Sequence, residues 1–267
     1  MTAAHETEQA RERAVAEQRR ALERLEELVR WRKDFIASVI HDLLTPVASI
    51  AGFAELLLEG ELSDAERRDF LERILSNVQA QQALLDDLVA YAQLESGRLV
   101  LVPERLDLTR LVHNLIANMA PVVGDRHLGV ATAGVELTAD RLALERILRN
   151  LLVNAAQHTG EGAAIRVRAR EDDDAVVIEV EDEGSGIPAE RLPHVFEPFE
   201  RGKAGGSGLG LWIVKHHVDL HGGEVSADSE VGKGTVFRLT LPRTPPAADT
   251  QAGAVTRSRS TRRRRRP

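Results

Sequence analysis

Apolar residues in the first part of the chain recur in alternating steps of three and four: Leu22, Leu25, Val29, Ile36, Val39, Leu43, Ile50, Phe53 and Leu57. Arg32 and Pro46 are the only interruptions on this seam. Such a heptad puts a narrow apolar stripe on a helix that packs against partner helices. Residues 1 to about 30, rich in Ala, Glu, Arg and Gln, read as a solvated helix that feeds the heptad, a coiled coil with a second copy of the chain. The helix is expected to continue, bent near Pro46, to about Glu59, where Gly60-Glu61-Leu62 breaks it. Ser63-Asp64-Ala65-Glu66 is a capping box with Ser63 as N-cap. A second heptad follows, Leu71, Ile74, Val78, Leu85, Leu88 and Ala92, ending near Ser96-Gly97. Two long helices with a short turn form an antiparallel hairpin. One hairpin cannot cover its own stripe, whereas two make a four-helix bundle, so a homodimer is expected.

At Gly97 the periodicity changes. Arg98–Val102, Arg105–Leu108, Leu128–Leu137, Ala163–Arg170, Ala175–Glu181, Glu224–Ser229 and Thr235–Leu241 read as strands. Thr109–Met119, Asp140–Gln157 and Leu209–Leu220 read as helices, the second strongly amphipathic. The order lacks a regular βαβ alternation and predicts an α+β fold, an antiparallel-type sheet with helices on one face. After Leu241 come prolines and an arginine run with no apolar residues to dock it, so this tail is expected to be disordered. The expected organisation is an N-terminal coil (1–30), a helical-hairpin domain (31–97), an α+β domain (98–243) and a basic tail (244–267).

Composition narrows the class. The chain has 267 residues, 43% hydrophobic but only 3% aromatic, so its core is built of Leu, Val, Ile and Ala. With no cysteine, disulfides and thiolate chemistry are excluded. No unbroken apolar run approaches the ~20 residues of a membrane span, and the N-terminus is too polar for a secretory signal. A cytoplasmic location without a transmembrane segment is the resulting expectation. The net charge is -7, but the seven arginines and one aspartate from Thr244 onward leave -13 on the remainder. The folded part should repel nucleic acid, and only the tail could attract it.

The candidate chemistry begins inside the first heptad, at His41-Asp42-Leu43-Leu44-Thr45-Pro46. With Leu22 at position a, His41 falls at f, facing away from the seam. Asp42 is its neighbour, and Thr45 lies one turn on, on the same face. An isolated surface histidine is usually no more than solvated polarity. A helix-interior proline, however, costs ~3 kcal/mol, and here it stands five residues past the histidine within a strong heptad. The helix looks shaped to offer His41 to another domain.

A second constellation lies in the α+β part. Asn150 and Asn154 share one side of their helix, and hard, neutral amide oxygens suit magnesium, although such residues equally serve as caps. Asp182-Glu183-Gly184-Ser185-Gly186-Ile187-Pro188 follows a strand; its carboxylates can accept from an exocyclic amine, and its glycines allow close approach of a ligand. Phe196-Glu197-Pro198-Phe199 leads to Gly205-Gly206-Ser207-Gly208-Leu209-Gly210-Leu211, a glycine run that opens a helix. Backbone N–H groups and the positive end of a helix dipole converge there on an anion. The run is neither a P-loop nor a Rossmann fingerprint.

In this order the segments resemble the bacterial two-component sensor histidine kinases: HDLLTP the H box, NLLVNAAQHT the N box, DEGSGIP and GSGLGL the two glycine boxes, FEPF the phenylalanine box. The resemblance covers roughly residues 31–242. It implies a dimerisation and phosphotransfer bundle followed by a gyrase-type ATP-binding sandwich, with ATP and Mg2+ as cofactors. It implies His41 as phosphoacceptor, Asp42 as the acid that activates it, and Thr45 as the residue that positions water for phosphatase activity. Asn154 matches the magnesium ligand, supported by Asn150, and Asp182 matches the adenine-binding aspartate. Gly184, Gly186, Gly206, Gly208 and Gly210 match the hinge and phosphate-lid glycines. His158, Ile187, Phe199, Leu209, Leu211 and Thr235 complete the nucleotide site by the same likeness. Three departures stand out: Leu44 where the H box usually has a base, Asp42 in place of Glu, and Gln157 where the N box often has Lys. Arg201 and Lys203 are candidates to restore that positive charge. The implied partners are a second copy, a response regulator receiver domain, and an upstream sensor protein unless input comes through the N-terminal coil or a missing part.

Three activities fit to different degrees: a histidine kinase, a degenerate nucleotide-binding scaffold that regulates partner kinases, and a gyrase-like ATPase without histidine transfer. Leu44 and Gln157 permit the scaffold; His41, Asn154 and the glycines favour the kinase, and the H box argues against the plain ATPase.

Overall fold

In the computed structural model the first heptad is one helix, α1 (Thr2–Glu59), that runs through Pro46. The structure describes residues 2–60, 62–97, 99–119, 123–132, 134–200, 202 and 207–246. Pro46 has no amide hydrogen, so the Asp42 carbonyl one turn earlier loses its helical partner. Hydroxyls bond back along the helix on either side of this defect: Thr45 Oγ1 donates to the His41 carbonyl at 2.9 Å and Ser49 Oγ to the Thr45 carbonyl at 3.2 Å. The capping box forms as expected, with the Ser63 N–H on the Glu66 carboxylate at 2.9 Å and the Glu66 N–H on Ser63 Oγ at 3.3 Å. It opens α2 (Asp64–Glu95). Phe53 and Phe70 meet across the hairpin at 5.5 Å.

The chain divides into two compact units, Met1–Leu84 and Leu85–Pro267. The division falls inside α2 because its last turns contribute Ala90 and Leu94 to the core of the second unit. In the first unit no described side chain is buried; Ile40, Leu44, Leu71 and Leu75 are all at least half exposed. The stretch Phe35–Glu59 also reaches a mean hydropathy of 1.5, apolar and long enough by composition to cross a membrane. The run is not unbroken, since His41, Asp42 and Glu55 interrupt it, but its average stays high.

The second unit packs α3 (Leu108–Asn118), α4 (Arg141–His158) and α5 (Gly210–Leu220) with seven strands: β1 (Pro103–Asp107), β2 (His127–Ala131), β3 (Glu136–Asp140), β4 (Ala164–Asp172), β5 (Ala175–Asp182), β6 (Glu224–Glu230) and β7 (Gly234–Pro242). Five of them form a sheet in the order β2-β4-β5-β7-β6, and β1 and β3 pair separately. The sheet is mixed, since β2 and β4 run parallel while its other pairs are antiparallel. Alternation along β5 buries Val176, Ile178 and Val180 under α4. Glu179 and Glu181 face the other way and pair with Arg238 and Arg166. The helices therefore cover one face and charged pairs the other.

Two strand expectations change. Leu128–Leu137 is not one strand but β2 and β3, in different sheets; the chain turns between them, with Gly134 at φ +77° and the Val135 N–H on the Thr132 carbonyl. Residues 99–102 have no strand partner: the Val102 N–H goes to an Asp140 carboxylate oxygen at 2.8 Å, and pairing begins at Pro103.

Candidate nucleotide site and phosphoacceptor helix

On α1, His41 stands with 78% of its side chain exposed, as its f position predicts. Its Nδ1 lies 3.3 Å from Asp42 Oδ1. The Thr45 hydroxyl is engaged with the His41 carbonyl, one turn along the same face.

In the second unit β5 ends on Asp182, an inward position only 4% exposed. Burial pushes this carboxyl up to about 6, against the opposing pull of the Gly184 and Thr235 N–H groups. The Gly184 N–H lies 2.9 Å from Asp182 Oδ1. A cavity of about 560 Å³ opens above it. Asn154 and His158 of α4 line one side, Gly186, Ile187 and Thr235 another, and Leu211 of α5 a third. Burial, then the Arg191 charge, lowers the His158 pKa, so this imidazole is neutral in the wall. Gly186 adopts φ +70°, and a Cβ there would stand 2.2 Å from the Glu230 carbonyl oxygen. Only glycine fits that turn. The Ile187 N–H is tied to Ser229 Oγ, which in turn meets Thr235 Oγ1 at 2.9 Å.

Some expected residues lie beside the cavity rather than in its wall. Asn150 donates its amide hydrogen to the Gly210 carbonyl at 3.1 Å and so anchors the start of α5. Leu209 is fully buried against Ala90, Leu94, Trp212 and Ile213, which makes it a core residue. Gly208, at φ +68°, lies against the backbone of Phe199, whose N–H donates to the Gly208 carbonyl at 2.8 Å. Gly184 contributes its N–H to Asp182, and Gly210 abuts the Asn150 side chain. Arg201, Lys203 and Gly206 lie outside the described residues, as does the arginine tail.

The wall also holds residues the boxes did not announce. Arg191, paired with Glu200 at 2.9 Å, brings a guanidinium to the cavity, and Ser185, Glu190, Val195 and Val231 complete it. No periodicity marks Arg191 in the irregular stretch after Pro188. Its place four residues before Val195 becomes meaningful only when the chain folds back. For magnesium the donor set fits in chemistry: Asn154 offers a neutral oxygen in the wall, and the metal ordinarily takes one or two protein ligands plus phosphate and water.

Comparison with known proteins agrees with both halves. Residues 31–97 match the His Kinase A (phospho-acceptor) domain, and residues 139–245 match the histidine kinase-, DNA gyrase B- and HSP90-like ATPase family. The alginate biosynthesis sensor protein KinB of Pseudomonas aeruginosa is 35% identical over 86% of this chain and 39% of its own length. The mycobacterial sensor histidine kinase MprB structure is 31% identical, with a TM-score of 0.50, over 54% of this chain and all of that one. The structure of full-length ShkA in complex with AMPPNP is 25% identical, with a TM-score of 0.57, over 81% of this chain and 47% of that one. This chain spans less than two fifths of the curated relatives DivL, TorS and KinB. The two family matches in sequence order, the solved relative covered along its whole length and the paired sites show that the chain belongs to the two-component sensor histidine kinases.

Proposed function

We propose that this chain is the catalytic part of an ATP-dependent protein-histidine kinase that phosphorylates its own His41 and passes the phosphoryl group to an aspartate of a response regulator. The observation that supports it most is the pairing of an exposed His41, held through Nδ1 by Asp42, with a cavity built on a buried Asp182. Asp182, ionised above its raised pKa, accepts from the adenine amine, and Ile187, Leu211 and Val231 flank the base. Asn154 would hold magnesium, which supplies neutralisation of the polyphosphate charge when bound with ATP. The glycine run that opens α5, next to Leu211 in the cavity wall, would lie toward the phosphates. His41 Nε2 attacks the γ-phosphorus as the bond to ADP breaks. Asp42 stabilises the imidazole as it gains positive character.

The same helix face would carry the phosphatase step, with the Thr45 hydroxyl leaving the His41 carbonyl to position water at a phospho-aspartate. The exposed stripes of α1 and α2 make a homodimer the working form, with the N-terminal turns of α1 as a coiled coil that takes input from an upstream sensor. ATP is an intracellular reagent, which puts this part of the chain in the cytoplasm.

Incubation with γ-labelled ATP tests the reading. Acid-labile label is expected on the wild type, none on His41→Ala, and none on Asn154→Ala, which stays dimeric. Label that survives His41→Ala, or free phosphate without labelled protein, would sink it. Thr45→Ala should keep labelling within severalfold and lose phosphatase activity on a phosphorylated receiver domain.

A further inference from the structure

Two residues one helical turn apart on α2 reach the glycine run that opens α5. Asp87 accepts a hydrogen bond from Ser207 Oγ at 2.9 Å. The Ser207 oxygen in turn accepts from the Leu209 N–H at 3.2 Å. A hydroxyl has one proton; giving it to Asp87 fixes the lone pair that receives Leu209. Tyr91, four residues on, packs its ring on Trp212 of α5 at 4.7 Å and edge-on to Phe199 at 5.7 Å. Phe199 holds φ +66°, a conformation that persists in a non-glycine residue only when its surroundings enforce it. Its N–H bond to the Gly208 carbonyl joins the two contacts. Asp87 and Tyr91 thus grip Ser207 and Phe199, and through them the glycine turn that opens α5. Asp87 is half-buried; burial raises its pKa, while the Ser207 hydroxyl and the Arg146 charge pull it down.

We infer that Asp87 and Tyr91 are positioning residues for nucleotide phosphate: they act through Ser207 and Phe199 to hold the glycine turn in binding geometry. The inference rests on the nucleotide-binding reading of the cavity and adds α2 to it. The continuity of α2 gives it a consequence. A rotation of α2 that withdraws Asp87 loosens the phosphate turn, and by linkage nucleotide stabilises the docked helix by the same factor.

The test uses the full-length chain, magnesium and ADP in titration calorimetry, alongside hydrogen exchange without nucleotide. Asp87→Ala and Tyr91→Ala are expected to weaken ADP binding about five- to twentyfold, the loss of a hydrogen bond or an aromatic contact. Asp87→Asn keeps an acceptor for Ser207 and should stay within twofold of wild type. Ser207→Ala should match Asp87→Ala, and the double variant should be no worse than either. The amides of Phe199 and Leu209 should exchange faster in Asp87→Ala, while those of Val176 and Ile178 in β5 keep their wild-type rates. Unchanged ADP affinity in Asp87→Ala, equal losses in the Asn and Ala variants, or unchanged exchange at Leu209 would each overturn the inference. A wild type that fails to bind ADP would sink the nucleotide reading instead, and the exchange comparison would then decide the clamp by itself.

Discussion

The two compact units stand at opposite ends of the burial problem. Residues 2–84 form a hairpin in which no described side chain is buried, although Leu22, Leu25, Val29, Ile36, Leu71 and Val78 repeat at heptad spacing. The second unit encloses Leu144, Ile147, Leu148, Leu151, Ile165 and Ile178 completely within one chain. His41 therefore rides on a surface left open in the single chain, and the cavity over Asp182 on a core that is complete already. If a second copy covers the hairpin as proposed, its stability depends on protein concentration and that of the second unit does not. On the proposed reading, a change in how the helices pair would alter the presentation of His41 without disturbing the core beneath Asp182.

The sharpest way to break this contrast is to charge the hairpin seam. Leu71 is 52% exposed in the single chain, where an aspartate would ordinarily be harmless. In a two-fold bundle the substitution buries two like charges, so Leu71→Asp should cost the dimer on the order of 5 kcal/mol. Sedimentation should show monomer at concentrations where the wild type is dimeric, with ADP affinity unchanged. A dimer of wild-type strength would place the seam elsewhere.

The counterpart in the second unit is Leu148→Ala. This side chain is fully buried in α4, under the sheet, and its truncation should cost ~3–4 kcal/mol in urea unfolding, the usual range for buried leucine. The loss should be the same at all protein concentrations. If it grew on dilution, the second unit too would lean on its partner.

What the sequence made legible follows the same division. Heptads, the Ser63 capping box and the f position of His41 are local patterns, so the hairpin could be read residue by residue. The glycine boxes marked the cavity because Gly186 and Gly208 serve local backbone needs. What stayed hidden was what depends on distant pairing. The break between β2 and β3 separates strands that join different sheets. Leu209 sits among box residues, yet its neighbours are Ala90 and Leu94 on α2. Asn150 shares a helix side with Asn154, but the tie of its amide to Gly210 had no local sign. Arg191 has no local signature at all.

Asp182→Asn sets function against stability within the self-sufficient unit. The native carboxyl titrates near 6 against 3.8 in the unfolded chain, so the folded state binds the extra proton between those values. Stability therefore falls as pH rises through this window, and above 6 the buried charge costs on the order of 1–3 kcal/mol. The asparagine variant should melt higher than wild type at pH 7.5, lose that advantage as pH falls toward 4, and bind ADP at least a hundredfold more weakly. A variant destabilised at pH 7.5 would mean that the N–H bonds of Gly184 and Thr235 outweigh desolvation.

His217 makes the smallest and opposite contribution. It is 4% exposed on α5, whereas the His41 side chain on α1 is 78% exposed, and neither of its ring nitrogens has a hydrogen-bond partner among the described residues. Burial, and then the Arg146, His221 and His216 charges, lower its pKa to about 4, with Asp140 opposing. His221 cannot relieve it, since its Nδ1 lies 2.7 Å from the His217 carbonyl and its Nε2 accepts from the Asp140 N–H. A folded value below the unfolded 6.5 means that the unfolded chain binds the extra proton. The stabilisation is therefore complete above pH 6.5 and is lost as pH falls toward 4. This acid loss offsets the gain from Asp182 over the same range, and the wild type should show a shallow profile between pH 4 and 6. His217→Phe removes the titration and two unsatisfied nitrogens for a ring of similar volume. It should change stability at pH 7.5 by less than about 1 kcal/mol and raise it by about 1–2 kcal/mol at pH 5, read from urea midpoints at each pH. Equal profiles for wild type and variant would show that the imidazole reaches water when it charges, and that the unit opens locally around α5 before it unfolds.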